Sequence, residues 1–455
     1  MENIVRLKND ENPSILEYSQ VESKKESHSL FWFLLSAFCG LIFVRNVLHI
    51  EYPIVILLVF FCVMAFCADH NEFMALAISC VPFSSAFQYR YALFALIVIY
   101  LAKFPRSIKH YNAYIPLALM MFWELLHGLL DFDFSFVSYL QSFAELIFLS
   151  FVLSLGNKKF DLALISRTLA ICVAFAGGVC TLKLLADTGY NFVAVFSGGY
   201  RLGINDEVAI SYALNYNANA LGFMCNMSVC CLLVMGKINK LSFFDITLIA
   251  VLIFIGFLTL SRAFILCLLF VALAFLFVSF SSISKTIKSM VIIAISVIII
   301  ILAINYFAPY ILENLLVRFE ADDISSGRNE LFVEYTEFVF SSVFNIIFGT
   351  GLQNVVGKVH SQGFIGIDNV SHNGIQELVV VWGIPGLIMF CGYVYSLIAI
   401  CKRRIKLCFA NYIPLFLLIF MVQSTQIISS GNRLLMLSVI YFVLSTPIKK
   451  SEGTL

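Results

Sequence analysis

From 244 to 280 the chain is apolar almost without a break, and the break is Ser261-Arg262. A run of that length folds as helix in a bilayer, because hydrocarbon offers no water to satisfy backbone N–H and C=O groups. An arginine at the centre of such a helix costs ~2.5–3.5 kcal/mol on insertion scales. The runs 244–260 and 263–280 therefore read as two membrane helices joined at a face, where Arg262 meets something anionic. The competing reading of Arg262 is an interfacial anchor whose guanidinium reaches lipid phosphate.

The rest of the chain repeats this pattern. Of 455 residues, 61% are hydrophobic and 13% charged, and the mean hydropathy is +0.93. A water-soluble core could not hide that much apolar surface, which excludes a soluble globular domain. Apolar runs lie near 31–48, 53–68, 72–87, 91–103, 111–130, 135–155, 162–185, 212–235, 244–260, 263–281, 288–307, 375–401, 411–428 and 432–447. They predict an all-α polytopic bundle of about fourteen crossings, or about twelve if the short runs 72–87 and 91–103 are tilted or re-entrant.

The first thirty residues are polar and lack the short apolar centre of a cleavable signal, so 1–30 is expected as a cytoplasmic tail and the first helix as an uncleaved anchor. The expected divisions are transmembrane helices over 31–185, 212–307 and 375–447. Two long outer loops fall at 186–211 and 308–374, the second with an amphipathic helix, and a cytoplasmic tail at 448–455.

Lysine and arginine placement supports this topology. Ten basic residues, Arg45, Arg90, Arg167, Lys183, Arg201, Arg262, Arg318, Arg328, Lys358 and Arg433, fall mostly on the outer face. The other nineteen of the 29 (29 minus these ten) fall in cytoplasmic segments, as the positive-inside rule requires. The rule does not explain the outward arginines. Chemistry belongs on their face.

Four segments converge there. The first is Ser261-Arg262. The second is Gly198-Gly199-Tyr200-Arg201-Leu202-Gly203 with Asn217-Ala218-Asn219-Ala220, where Asn219 either caps a helix or presents an amide to a sugar hydroxyl. The third is Ser325-Ser326-Gly327-Arg328-Asn329-Glu330, leading into an amphipathic helix that carries Tyr335. Arginine is electrostatically odd in the first turn of a helix, which points Arg328 to a task outside the helix or to pairing with Glu330. The fourth is Ser371-His372-Asn373-Gly374-Ile375-Gln376-Glu377, in which His372 and Gln376, and Asn373 and Glu377, share helix faces at a helix mouth. An interfacial histidine taken singly is usually inert. Its place opposite two arginines argues otherwise.

Lesser candidates are Glu124, His127, Glu145 and Lys183, for which buried pairing, such as Glu124 with an arginine, is the expected role. Glu320, Asp322 and Asp323 offer either a divalent-cation site or a solvated loop, and consecutive acids without ligand geometry are more often the loop. The thirteen cysteines avoid the outer loops, so neither a disulfide framework nor a zinc cluster is indicated. No phosphate loop or nucleotide fingerprint occurs, and no cofactor, metal or nucleic acid is expected.

Taken in order, Leu260-Ser261-Arg262, Gly327-Arg328, Phe348-Gly349-Thr350-Gly351-Leu352, His372-Asn373 and Gly383-Ile384-Pro385-Gly386 resemble the O-antigen polymerase (Wzy-type) and O-antigen ligase superfamily. The resemblance covers about 198–390. It implies a GT-C-like glycosyltransferase of the bacterial inner membrane, with both termini cytoplasmic and an undecaprenyl-diphosphate-linked oligosaccharide as donor. Arg262 and Arg328, with Arg201 as a third, would hold the diphosphate. His372 or Glu377 would take the acceptor proton, and Asn373, Gln376, Asn219 and Tyr335 would position sugar.

Polymerase is the favoured activity, because the long polar amino-terminal segment and the extra helices look more like divergent polymerases than compact ligases. Its partners would be the lipid bilayer and a chain-length regulator protein. A ligase acting on lipid A-core is the nearest alternative. A flippase is the alternative of another class, and it is disfavoured because the polar residues crowd one face and the two halves show no similarity.

Overall fold

The computed structural model describes residues 28–448, apart from 110, 131–133, 156–159, 192–200, 203–213, 215, most of 279–327, 368 and 429–430. The described residues are all-helical. In chain order the helices are α1 (Ser29–Asn46), α2 (Val55–Cys67), α3 (His70–Ser79), α4 (Tyr89–Lys103), α5 (Ile115–Leu129), α6 (Phe136–Ser142), α7 (Ala144–Ser154) and α8 (Leu162–Asp187). Then come α9 (Ala218–Met235), α10 (Phe243–Leu258), α11 (Arg262–Val278), α12 (Arg328–Phe340), α13 (Val343–Ile347), α14 (Val355–Ser361), α15 (Gly374–Arg404), α16 (Phe409–Met421) and α17 (Gly431–Leu444).

By length and composition four described helices can cross a bilayer: Ser29–Asn46, Leu162–Ala186, Ala218–Met235 and Gly374–Arg403. A fifth candidate is the pair α6 and α7, bent by 52°. Six more are apolar but shorter, 10–17 residues. Several helices are shorter than the apolar runs that predict them. The run 72–87 is helical only to Ser79, the run 135–155 breaks at Phe143, and the run 411–428 stops at Met421. The run 288–307 lies largely outside the described residues.

Hydrogen bonds between helix termini sort the bundle into two ends. At the first, Asp69 and Glu72 form a reciprocal capping box at the start of α3 (2.8 and 2.9 Å). His28, just before α1, bonds Glu72 at 2.9 Å. Asp161 caps α8 and takes Asn71 Oδ1 on its own N–H at 3.0 Å. Lys103 ties the end of α4 to the Phe66 carbonyl at the end of α2 at 2.8 Å. Asn411 ties the start of α16 to the Val443 carbonyl at the end of α17 at 2.9 Å. Among the described residues, Lys103, Lys237, Lys240 and Lys402, all expected on one face, fall at helix termini of this end; about half of the basic residues in that expectation lie outside the described residues.

Arg167 belongs here too, which corrects its assignment to the opposite face. Its guanidinium holds buried Asp245 in a two-point pair at 2.8 and 2.9 Å, joining the starts of α8 and α10. The sequence showed an arginine near a helix terminus but not the carboxylate seventy-eight residues on that uses it.

At the second end lie the starts of α9, α11, α12, α15 and α17 and the ends of α10 and α16. A kink in α15 shapes it. Gly383 adopts φ 67°, and a Cβ there would collide with the Ile347 carbonyl. Pro385 has no N–H to give the carbonyl four residues back, at Val381. The Gly351 N–H takes that carbonyl at 2.8 Å, and the Thr350 N–H takes Val380 at 2.9 Å. The segments 348–352 and 383–386 are therefore two halves of one joint.

Glu124 and His127 of α5 complete the joint. Glu124 accepts from the Leu352 N–H at 2.9 Å and the Trp382 indole at 2.7 Å, and His127 bonds the Phe348 carbonyl at 2.7 Å. The expected arginine partner of Glu124 is not what the structure shows: neutral donors satisfy it. Glu145 does pair with an arginine, Arg90, at 3.1 Å.

Candidate functional site

The second end encloses a cavity of about 210 Å³ built from five stretches of chain: Ser84; Tyr216, Asn217, Asn219 and Ala220; Arg328; His372; and Ser424, Thr425, Gln426 and Arg433. Of the three arginines expected to hold a diphosphate, Arg328 lines it, whereas Arg262 and Arg201 are not among the lining residues.

Arg262 opens α11. The chain turns out of α10 through Leu260, which takes a left-handed φ of 47°. Ser261 Oγ then accepts the Phe264 N–H at 3.3 Å as a helix cap and donates to Asn219 Oδ1 at 2.7 Å. Asn219 is in turn held by Asn217, which caps α9 through the Asn219 N–H at 2.9 Å. The second and first sequence segments thus meet. Arg201 lies on the same turn, donating Nε to the Thr259 carbonyl at 3.2 Å, while the Leu202 N–H takes the Leu258 carbonyl at 3.0 Å. These two groups finish the end of α10. Gly198, Gly199, Tyr200 and Gly203 lie outside the described residues.

Arg328 begins α12 and lines the cavity. Burial, then the Arg262 guanidinium, hold it below the ordinary arginine range. The two arginines expected to cooperate are therefore within electrostatic reach of each other. Ser325, Ser326, Gly327, Glu320, Asp322 and Asp323 lie outside the described residues.

His372 precedes α15 and faces the same space. Burial lowers its pKa first, and then the positive charges of Arg328 and Arg433 add to that. The imidazole is held neutral, the form that can accept a proton.

The remaining residues of the fourth segment hold structure. Asn373 caps α15 through the Ile375 and Gln376 N–H groups at 3.0 and 3.1 Å. Gln376 donates to the Phe332 carbonyl of α12 at 2.7 Å and accepts from Ser371 at 2.6 Å. Tyr335 is fully buried and donates to the Asn369 carbonyl at 2.9 Å. Glu377 Oε2 accepts from the Ile427 N–H and, at 3.0 Å, from the Ile428 N–H.

That last contact exposes what the sequence reading missed. Residues 422–428 counted as the end of a membrane helix, yet they form an irregular strap across the cavity. The Gly374 N–H takes the Val422 carbonyl at 2.6 Å, Glu377 takes 427 and 428, and Arg433 Nη1 donates to the Gln426 carbonyl. The cluster Gln423-Ser424-Thr425-Gln426 was the available signal, since polar residues in a row are out of place inside a membrane helix.

Residues 247–391 match the family model described as O-antigen ligase, Wzy_C. This chain carries a domain of the O-antigen polymerase and ligase superfamily. Among curated proteins nothing matches it. The superfamily domain supplies Arg262, Arg328, His372 and Glu377, whereas Arg201, Asn219, the strap and Arg433 lie outside the matched stretch.

Among the described residues one group has metal-ligand spacing, His28 with Asp69 and Glu72. It sits at the other end of the bundle, and the helix caps described above account for its carboxylates.

Proposed function

We propose that this O-antigen superfamily protein is a surface polysaccharide polymerase. It moves a glycan from undecaprenyl diphosphate to a hydroxyl of a lipid-linked repeat unit, at the outer face of the bacterial inner membrane. The observation that carries the reading is a cavity in which a neutral histidine faces guanidinium groups. The acceptor hydroxyl attacks the anomeric carbon while the bond to the diphosphate oxygen breaks and its electron pair leaves with the phosphate. Arg262 and Arg328 offset the charge growing there. His372 takes the hydroxyl proton. Glu377 is the weaker base candidate, because one of its oxygens already holds the strap; its part is to position that strap.

Arg201 holds the Thr259 carbonyl, three residues before Arg262, and supports the turn that presents Arg262. Asn219, Asn373, Gln376 and Tyr335 serve as positioning residues through the contacts described above. A ligase passing finished polymer to lipid A-core is the second reading, favoured by the description of the matching family.

Gene deletion separates the two. Loss of a polymerase leaves core bearing single repeat units, and loss of a ligase leaves bare core with lipid-linked polymer accumulating. Units trapped on the inner side would overturn both in favour of a flippase. Normal ladders from Arg262→Ala, Arg328→Ala and His372→Ala, each in the deletion background, would reject the site.

A further inference from the structure

Arg433 stands at the start of α17, forty-two residues beyond the end of the superfamily domain at 391 (433 minus 391). It is 6% exposed, and its side chain lines the cavity beside Arg328 and His372. Nη1 serves the strap through the Gln426 carbonyl, but Nε is buried without a hydrogen-bond partner among the described residues. A buried guanidinium with a donor unused is costly, for the unmet donor and more so for the charge. The carboxylate acting on it is Glu377, whose Oε2 is already committed to two strap N–H groups.

Among the described residues the charges at this end are therefore unbalanced: Arg328 and Arg433 line the cavity and Arg262 acts on Arg328, against Glu377, with His372 held neutral. The excess is about two positive charges. A diphosphate diester carries about two negative charges, rising toward three when the sugar bond breaks. A single phosphate group would need fewer guanidinium groups than converge here.

Resting on the reading above, we propose that Arg433 binds the second phosphate of the carrier diphosphate, so that the anion site extends from the superfamily domain onto the last helix. Arg328 lines the same cavity as Arg433 and interacts electrostatically with both Arg433 and Arg262.

The test uses the full chain in nanodiscs, with inorganic pyrophosphate and inorganic phosphate as probes read by calorimetry and by thermal shift. Wild type is expected to bind pyrophosphate at least tenfold more tightly than phosphate. Arg433→Gln is expected to lose at least tenfold in pyrophosphate affinity and to keep its phosphate affinity. Arg433→Lys, which keeps the charge but loses the fork, covers the case in which the glutamine variant fails to fold.

The proposal is overturned if folded Arg433 variants bind pyrophosphate like wild type, or if they melt earlier with affinity unchanged, which marks a purely structural tie to Gln426. Failure of the underlying reading looks different. In that case Arg262→Gln and Arg328→Gln also leave pyrophosphate binding untouched, or the Arg433 variants lose the probe while polysaccharide ladders stay normal.

Discussion

Ser261 gives its hydroxyl to Asn219 Oδ1 at 2.7 Å, and this one bond fixes the start of α11 against the start of α9. It sets where Arg262 leaves the membrane helix. Ser261→Ala removes the bond and the cap on Phe264 together, which should cost about 1–2 kcal/mol. Asn219→Ala should cost less, and the double variant should fall short of the sum by ~0.5 kcal/mol or more. Thermal unfolding of the four proteins in one detergent checks this. Strict additivity would show that the contact carries no coupling.

His372 should behave as a base whose pKa is depressed. Activity then stays level through neutral pH and falls only below 6.5, as the imidazole takes up a proton. Arg328→Gln removes one of the charges that lower that pKa, so its acid limb should move to higher pH. A limb that stays put, or moves down, would contradict the geometry. His372→Ala should cost about 10²–10⁴ in rate across the range.

Loss of one arginine should act mainly on the chemical step. Arg262→Ala and Arg328→Ala are each expected to lower turnover by about 10²–10³, the usual cost of removing one donor to a developing anion. In vitro transfer from a lipid diphosphate donor measures it. A change confined to KM would mean that the side chain binds ground state and transition state equally.

Glu377 should prove to be a brace. Glu377→Ala strands the Ile427 and Ile428 N–H groups in a buried place, at about 1–3 kcal/mol each. Glu377→Gln keeps an acceptor oxygen, so it should retain most stability and measurable transfer. Complete inactivity of a stably folded glutamine variant would instead identify Glu377 as the base.

Gly383→Ala tests the joint in α15. The positive φ and the collision with the Ile347 carbonyl together predict a loss of more than ~2 kcal/mol. Melting temperature and the yield of folded protein report it.

The helices, their caps and the place of Lys103, Lys237, Lys240 and Lys402 at one end were written locally. Asp69, Asp161, Ser242, Asn217 and Asn373 announce helix starts within three residues of where they act, and apolar runs announce membrane helices. Arg262, Arg328 and His372 stood out because a charge or imidazole at a helix mouth conflicts with what surrounds it.

The tertiary structure alone decided the rest. It ended α16 at Met421, because the carbonyl at 422 and the N–H groups at 427 and 428 find better partners on α15 than within a helix. It moved Arg167 to the far end beside Asp245, and it brought Arg433 to Arg328 and His372. Capping and apolar runs are properties of neighbours in sequence. A cavity wall is made by groups dozens to hundreds of residues apart, and no local rule weighs a hydrogen bond against a partner that the chain has yet to reach.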